Sequence, residues 1–165
     1  MMFDMQRTIL EGAFLSALFS VLILAILYYN PRLLLNDYPK EIQDAVPPKT
    51  VKEKYQSNIS SLFVILILLF IPFLFTLRYD NETSFWAISL YFFIVFMIVN
   101  LVDLFLLDWI IFCKITPKFI VIPGTEGMGI YKDFIFHLKA SLKGSIICAI
   151  FSLLLAGLRV LVKTG

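Results

Sequence analysis

Four long runs of apolar residues dominate the sequence, separated by two long polar stretches and one short one. A helix needs roughly 20 consecutive apolar residues to cross ~30 Å of hydrocarbon. Four segments reach that length and are predicted to be membrane-spanning helices: 9–29, 57–77, 85–112 and 140–162. We therefore predict an all-α integral membrane protein, a four-helix bundle that forms one membrane domain over 1–165 with two ordered loops, 30–56 and 114–139.

Local signals in the first loop indicate where helices begin. Thr50 and Glu53 have the spacing of a capping box, so the second spanning helix should start near Val51, in water, before it enters the membrane. The segment 39–45 suits a short helix with Pro39 at its first position.

The second loop carries a β-branched run and the turn sequence PGTEG. Two apolar runs about such a turn predict either a small hairpin or an ordered interfacial loop. We expect neither loop to provide a core of its own.

Composition agrees with a membrane protein and excludes several functions. The chain is 60% hydrophobic and 16% charged, whereas soluble domains average ~45–50% and ~25%. The net charge of +2, with no block of Lys and Arg, gives no reason to expect nucleic-acid binding. Cys113 and Cys148 lack the spacing of zinc ligands, so no metal site is predicted. The sequence identifies no cofactor.

The 14 Lys and Arg predict the orientation of the bundle, because cytoplasmic loops are enriched in positive charge. Ten of them lie in or next to the two long loops, and four lie near the other ends of the spans. Both loops should then be cytoplasmic, with both termini on the non-cytoplasmic side of the cell membrane. The four near the other ends are Arg7, Arg78, Arg159 and Lys163.

Two aspartates interrupt the third span. Asp103 and Asp108 are the only carboxylates in SFWAISLYFFIVFMIVNLVDLFLLDWIIFC, the segment 84–113. An acid at bilayer depth costs ~2.5–3.5 kcal/mol on insertion scales and often marks function. Asp108 lies beside Trp109 near the cytoplasmic boundary, where it could reach water or pair with Lys114. Asp103 lies about 7–8 Å deeper and needs a partner, a proton or a water-filled pocket.

The side chains that could serve Asp103 come from its own helix and from the fourth span. On an ideal α-helix Asn100 lies about 60° from Asp103, whereas Asp108 lies about 140° from it. Lys143 could form an ion pair with either aspartate, and that pair could be only a structural lock. His137 is the only histidine, and it suits an interfacial position. The predicted substrate- or ion-binding residues are Asn100, Asp103, Asp108, His137 and Lys143.

Small residues form stripes on the first and fourth spans. Gly12, Ser16 and Ser20 recur at spacing four, and a similar stripe runs from Ser141 to Ala156. Membrane helices associate through such residues, so the two stripes should meet each other or their copies in another subunit. The expected partners are therefore the lipid bilayer and a second membrane chain, in a homo-oligomer or with another membrane protein.

Three functions fit these observations. The first is transport or handling of an ion, a proton or a small substrate at Asp103, reached from the cytoplasm and performed by an oligomer. The second is an enzyme that acts on a lipid or lipid-linked substrate at the inner leaflet, with Asp103, Asp108 and His137 around the headgroup. The third is a non-catalytic accessory subunit of a membrane complex. No spacing of catalytic residues identifies a reaction.

Overall fold

The computed structural model describes residues 4–78 and 83–164, with the backbone alone at residues 163 and 164. It contains four helices long and apolar enough to span a membrane, and no β-strand within the described residues. The predicted all-α, four-helix membrane bundle is thus confirmed. The helices are α1 (Met5–Tyr29), α2 (Lys40–Ala45), α3 (Val51–Thr76), α4 (Phe85–Val102, continued by a π-helical segment over Asp103–Ile115) and α5 (Phe134–Thr164), with 3-10 turns at Pro31–Asp37 and Gly129–Lys132.

Capping residues set the helix starts. The Thr50 hydroxyl accepts the Glu53 N–H at 3.2 Å, and the Glu53 carboxylate accepts the Thr50 N–H at 2.7 Å, so the predicted capping box is confirmed. Helix α5 begins at Phe134, earlier than the predicted start at 140. Its start follows Asp133, whose carboxylate accepts the Phe136 N–H at 2.9 Å and satisfies one free backbone donor. The short helix α2 is present, but Pro39 precedes it rather than opening it.

Helix α4 is the centre of the bundle, packed between α1 and α5, while α3 lies at the periphery. The core beside it is fully buried and includes Leu15, Tyr91 and Phe92. A Cβ atom placed on Gly12 would lie 2.7 Å from Ile98 Cδ1, and one on Gly144 would lie 2.6 Å from Asn100 Oδ1.

The two small-residue stripes therefore pack against α4, and the prediction that they meet each other is wrong. The bulky side chains of α4 need small partners on both sides, and α1 and α5 supply them.

A charged network joins the helices at the end of the bundle where α1 and α4 begin, which we call the terminal end. The Glu11 carboxylate of α1 accepts two contacts from Arg78, one of them at 2.6 Å, and the Tyr91 hydroxyl donates to it at 2.9 Å. Arg7 adds an exposed hydrogen bond to the same carboxylate, at 3.3 Å. Glu11 thereby ties α1 to the end of α3 and to α4.

At the opposite end, the loop end, both long loops pack together into a compact layer that we call the loop cap (residues 30–50 and 116–133). Tyr38 is buried there, and its hydroxyl donates to the Ile120 carbonyl at 2.8 Å. Ile42, Ile122 and Tyr131 complete the same core. The loops are ordered, as predicted, and the core that they share also includes Leu27 of α1 and Phe112 and Cys113 of the π-helical segment.

The second loop forms successive turns, so of the two predicted alternatives the hairpin is absent and the ordered loop is observed. Gly124 and Gly127 have positive φ angles of 93° and 79°, which glycine adopts without strain. The Tyr131 hydroxyl accepts the Ile122 N–H at 3.0 Å and hydrogen-bonds to the Thr125 hydroxyl at 2.6 Å. The Tyr131 side chain thus makes hydrogen bonds that a paired strand would have made in a hairpin.

Candidate functional site

The site begins where α4 changes from α-helical to π-helical hydrogen bonding. The change occurs at Asp103, and the segment ends with the Thr116 N–H donating to the Ile111 carbonyl at 2.9 Å, five residues back. Residues five apart lie above one another in this geometry, as residues four apart do in an α-helix. Asp103 and Asp108 therefore share a side of the helix, and the predicted separation of about 140° is wrong. π-Helical turns are frequent at functional sites.

Asp103 lies in the wall of an open cavity of about 310 Å³ lined by all four spanning helices, which we call the intramembrane cavity. Asp103 is its only ionisable carboxylate, and Asn100 is the one other side chain there with strong hydrogen-bonding groups. The cavity extends from Asp103 toward the terminal end of the bundle. The lining residues are Phe19 of α1; Ile65, Leu68 and Leu69 of α3; Phe96, Val99, Asn100 and Asp103 of α4 and its π segment; and Gly144, Ile147, Cys148 and Phe151 of α5.

The Asp103 carboxylate accepts no hydrogen bond from any residue in the described ranges 4–78 and 83–164. Asn100, its predicted neighbour, instead donates to the Ser141 carbonyl at 3.2 Å and hydroxyl at 3.0 Å, and to the Ser145 hydroxyl at 3.2 Å. Lys143 is exposed and forms no ion pair with Asp103 or Asp108. The predicted ion pair between the third and fourth spans is therefore absent among the described residues. Asp103 is thus left facing the cavity.

Asp108 instead pairs with His137. Its carboxylate lies 2.9 Å from His137 Nδ1, which joins the π segment to α5. The imidazole is only 4% exposed and packs against the Phe112 ring at 4.9 Å between centroids. Its Nε2 atom has no hydrogen-bond partner in the described structure. Both residues were predicted at the site, but their pairing was not.

Removing the Asp108 carboxylate should cost stability. In Asp108→Ala both imidazole nitrogens would be buried without a partner, and we expect the free energy of unfolding to fall by roughly 1–3 kcal/mol. Thermal unfolding in detergent measures this. The double variant with His137→Phe should lose less, because it leaves no buried polar group unpaired. A single variant as stable as the wild type would contradict a stabilising pair.

The loop cap brings a third carboxylate toward the same region. The Asp37 side chain is exposed, and the partial burial of its carboxylate raises its pKa; Lys49 lowers that pKa and Asp108 raises it further. Burial also raises the pKa of the Tyr38 hydroxyl, which keeps that group a neutral hydrogen-bond donor. Within the described residues no three His, Cys, Asp or Glu side chains converge to hold a metal ion.

Gly144 is a site residue that the sequence did not single out, although it lies on the small-residue stripe between Ser141 and Ser145. A side chain there would displace Asn100 from its three hydrogen bonds to α5. We expect Gly144→Ala to lower the free energy of unfolding by roughly 1–3 kcal/mol. Gly157→Ala on the same helix is the matched control, since nothing lies within 4 Å of the added methyl group. Equal thermal stability of the two variants would contradict this packing.

Comparison with known proteins found no relative of this chain. No protein-family model, no curated protein and no solved structure matches the chain.

Proposed function

We propose that this multi-pass membrane protein binds a small, lipid-soluble substrate that carries a cationic nitrogen, with Asp103 as its counter-ion, and moves it across or within the bilayer. The observation that carries the proposal is one unpartnered carboxylate in the wall of an otherwise apolar cavity. A buried carboxylate is costly unless something compensates its charge. A cationic group of a bound substrate would do so.

The lining selects the chemistry of the substrate. A volume of about 310 Å³ is within the ~300–1,000 Å³ range of small-molecule sites. Metal cations such as Ca²⁺ take six to eight oxygen ligands, and one carboxylate beside Asn100 offers too few. A primary or secondary amine on a hydrocarbon body matches both the single charge and the apolar wall.

The rim of the cavity indicates a route from the lipid. Ile65 of α3 and Ile147 of α5 line the cavity and are 48% and 54% exposed, on the lateral surface of the bundle. A hydrophobic amine dissolved in the bilayer could therefore enter between α3 and α5. Access from the cytoplasm stays a prediction, and so do the placement of the loop cap in the cytoplasm, residence in the cell membrane and assembly into oligomers.

A pair of matched ligands tests the proposal. Purified protein in detergent should bind radiolabelled octylamine in a saturable way, whereas unlabelled 1-octanol, with the same chain and no charge, should compete weakly. Equal competition by octylamine and octanol would show that the cavity recognises only the hydrocarbon chain, and it would contradict a role for the carboxylate.

One observation supports an enzyme as the second candidate. Asp108 holds Nδ1 of His137 and leaves Nε2 unpartnered, which is the arrangement of a general base oriented by a carboxylate. The intramembrane cavity does not include His137, and no nucleophile has been assigned beside it. Turnover of phospholipid by the purified protein, lost in His137→Gln, would favour this candidate over transport.

A further inference from the structure

A second cavity, of about 490 Å³, lies at the loop end between the loop cap and the first turns of α3. Three lysines line it, one from each wall: Lys40 from α2, Lys49 from the turn before α3, and Lys54 from α3 itself. Gln43 and Asn58 add amide groups between them. We call this site the lysine pocket. It is separate from the intramembrane cavity and shares no lining residue with it.

The charges of the lysine pocket are only partly balanced. Asp44 is the one carboxylate in its lining, and it pairs with Lys40 at 2.9 Å. The Lys54 ammonium group has no hydrogen bond or salt bridge to any residue that the structure describes. Three ammonium groups against one carboxylate leave an excess of two positive charges facing one cavity.

Lys49 is held in a fixed position inside this pocket. Its ammonium group donates to the Leu33 carbonyl at 2.7 Å and to the Ser57 hydroxyl at 2.9 Å. An ammonium group has three donors, so one remains for a ligand. Burial lowers the pKa of Lys49, against the opposite effect of Asp37 and Glu53. A bound anion would therefore relieve an existing electrostatic cost.

The position of the lysine pocket matches the headgroup layer of a bilayer. Lys54 and Asn58 lie one turn apart near the start of α3, just before its long apolar run. Lysines at this depth attract anionic lipid surfaces by about 1 kcal/mol each. The pocket differs from a general basic surface because it adds fixed donors and a defined volume.

We propose that the lysine pocket binds a phosphate group through Lys49 and Lys54, with Lys40 and the neighbouring amides around it. A phospholipid headgroup and a free phosphate compound share this chemistry. The oxygens of a phosphate group, in a phosphodiester as in a free phosphate, point in tetrahedral directions and can accept hydrogen bonds from donors in more than one wall of the pocket.

The test compares two lysines on one helix. Lys54→Gln and Lys52→Gln remove the same charge within the first turns of α3; both side chains are exposed, but only Lys54 lines the pocket. Binding of spin-labelled phosphatidylglycerol is measured in vesicles that otherwise contain only phosphatidylcholine. We expect Lys54→Gln to weaken binding about 20-fold or more, the loss typical of a hydrogen bond to a charged group. Lys52→Gln should weaken it no more than about fivefold.

A second arm identifies the source of the phosphate. Inorganic phosphate and glycerol 3-phosphate are titrated against the detergent-solubilised full chain and its two variants. Lys54-dependent binding of phosphatidylglycerol alone would identify a lipid headgroup, and Lys54-dependent binding of the free anions would identify a soluble phosphate compound; either supports the pocket. Equal losses in the two variants at wild-type thermal stability, or no binding of any of these ligands by the wild-type protein, would overturn the proposal.

Discussion

Asp103→Asn is expected to weaken the binding of octylamine at least about tenfold while the bundle still inserts and folds. The asparagine has nearly the same shape as the aspartate but cannot balance a cation. A hydrogen bond to a charged group contributes roughly 1.5–3 kcal/mol, so the dissociation constant should rise at least about tenfold. Because the Asp103 carboxylate has no partner among the described residues, its replacement leaves no other group unpaired. Thermal stability should therefore stay at or above that of the wild type.

Two variants control this experiment. Glu41→Gln removes a carboxylate on the exposed side of α2, outside the intramembrane cavity, and should leave octylamine binding unchanged. Asp103→Glu keeps the charge and should retain measurable binding. Wild-type affinity in Asp103→Asn would show that the carboxylate does not take part in binding, and the proposed function would fail.

Glu11→Gln should produce the largest loss of stability of any single substitution considered. The neutral amide would remove the Glu11 charge that contacts the Arg78 guanidinium where α1, α3 and α4 meet. Breaking a well-buried ion pair costs about 3–5 kcal/mol. Glu11 is 12% exposed and Arg78 is 20% exposed, and Arg78 has further interactions, so we expect about 2–3 kcal/mol. Chemical unfolding in detergent, followed by circular dichroism, measures the difference.

Arg7→Gln is the matched control for this network. Arg7 binds the same Glu11 carboxylate, but its side chain is 52% exposed, and exposed ion pairs contribute about 0–1 kcal/mol. The ratio of the two losses of unfolding free energy tests whether the burial of an ion pair, rather than its charge alone, sets its contribution to stability. If Arg7→Gln and Glu11→Gln were equally destabilising, the network would act only through the local charge near the start of α1.

The bundle could be predicted from the sequence because its determinants are local. A run of apolar residues predicts a span whatever it packs against, and the capping box of Thr50 and Glu53 involves only neighbours in the chain. The π segment could not be predicted in this way. No residue type demands it, and it changes the angle between Asp103 and Asp108 on which the geometry of the site depends.

Two of the five predicted site residues, Asn100 and Asp103, line the intramembrane cavity, and the contacts of the other three could not be predicted from the sequence. Asp108 and His137 were both named, but their pairing required α5 to begin at Phe134 and the π segment to rotate Asp108. Its positive charge favoured Lys143 as the partner of an aspartate, but Lys143 lies on the exposed side of α5. The core of the loop cap depends on contacts between residues far apart in sequence, such as Tyr38 with Ile120, which no local pattern contains.

Modification of Asp103 by dicyclohexylcarbodiimide, a lipid-soluble reagent for carboxyl groups in apolar surroundings, tests the central claim most directly. The protein is treated in nanodiscs with and without octylamine, and each carboxylate is followed by peptide mass spectrometry. We predict that Asp103 is modified and that octylamine protects it, while the exposed Glu41 is not protected. An unreactive Asp103, or modification that octylamine does not change, would contradict a ligand-accessible carboxylate within the helices.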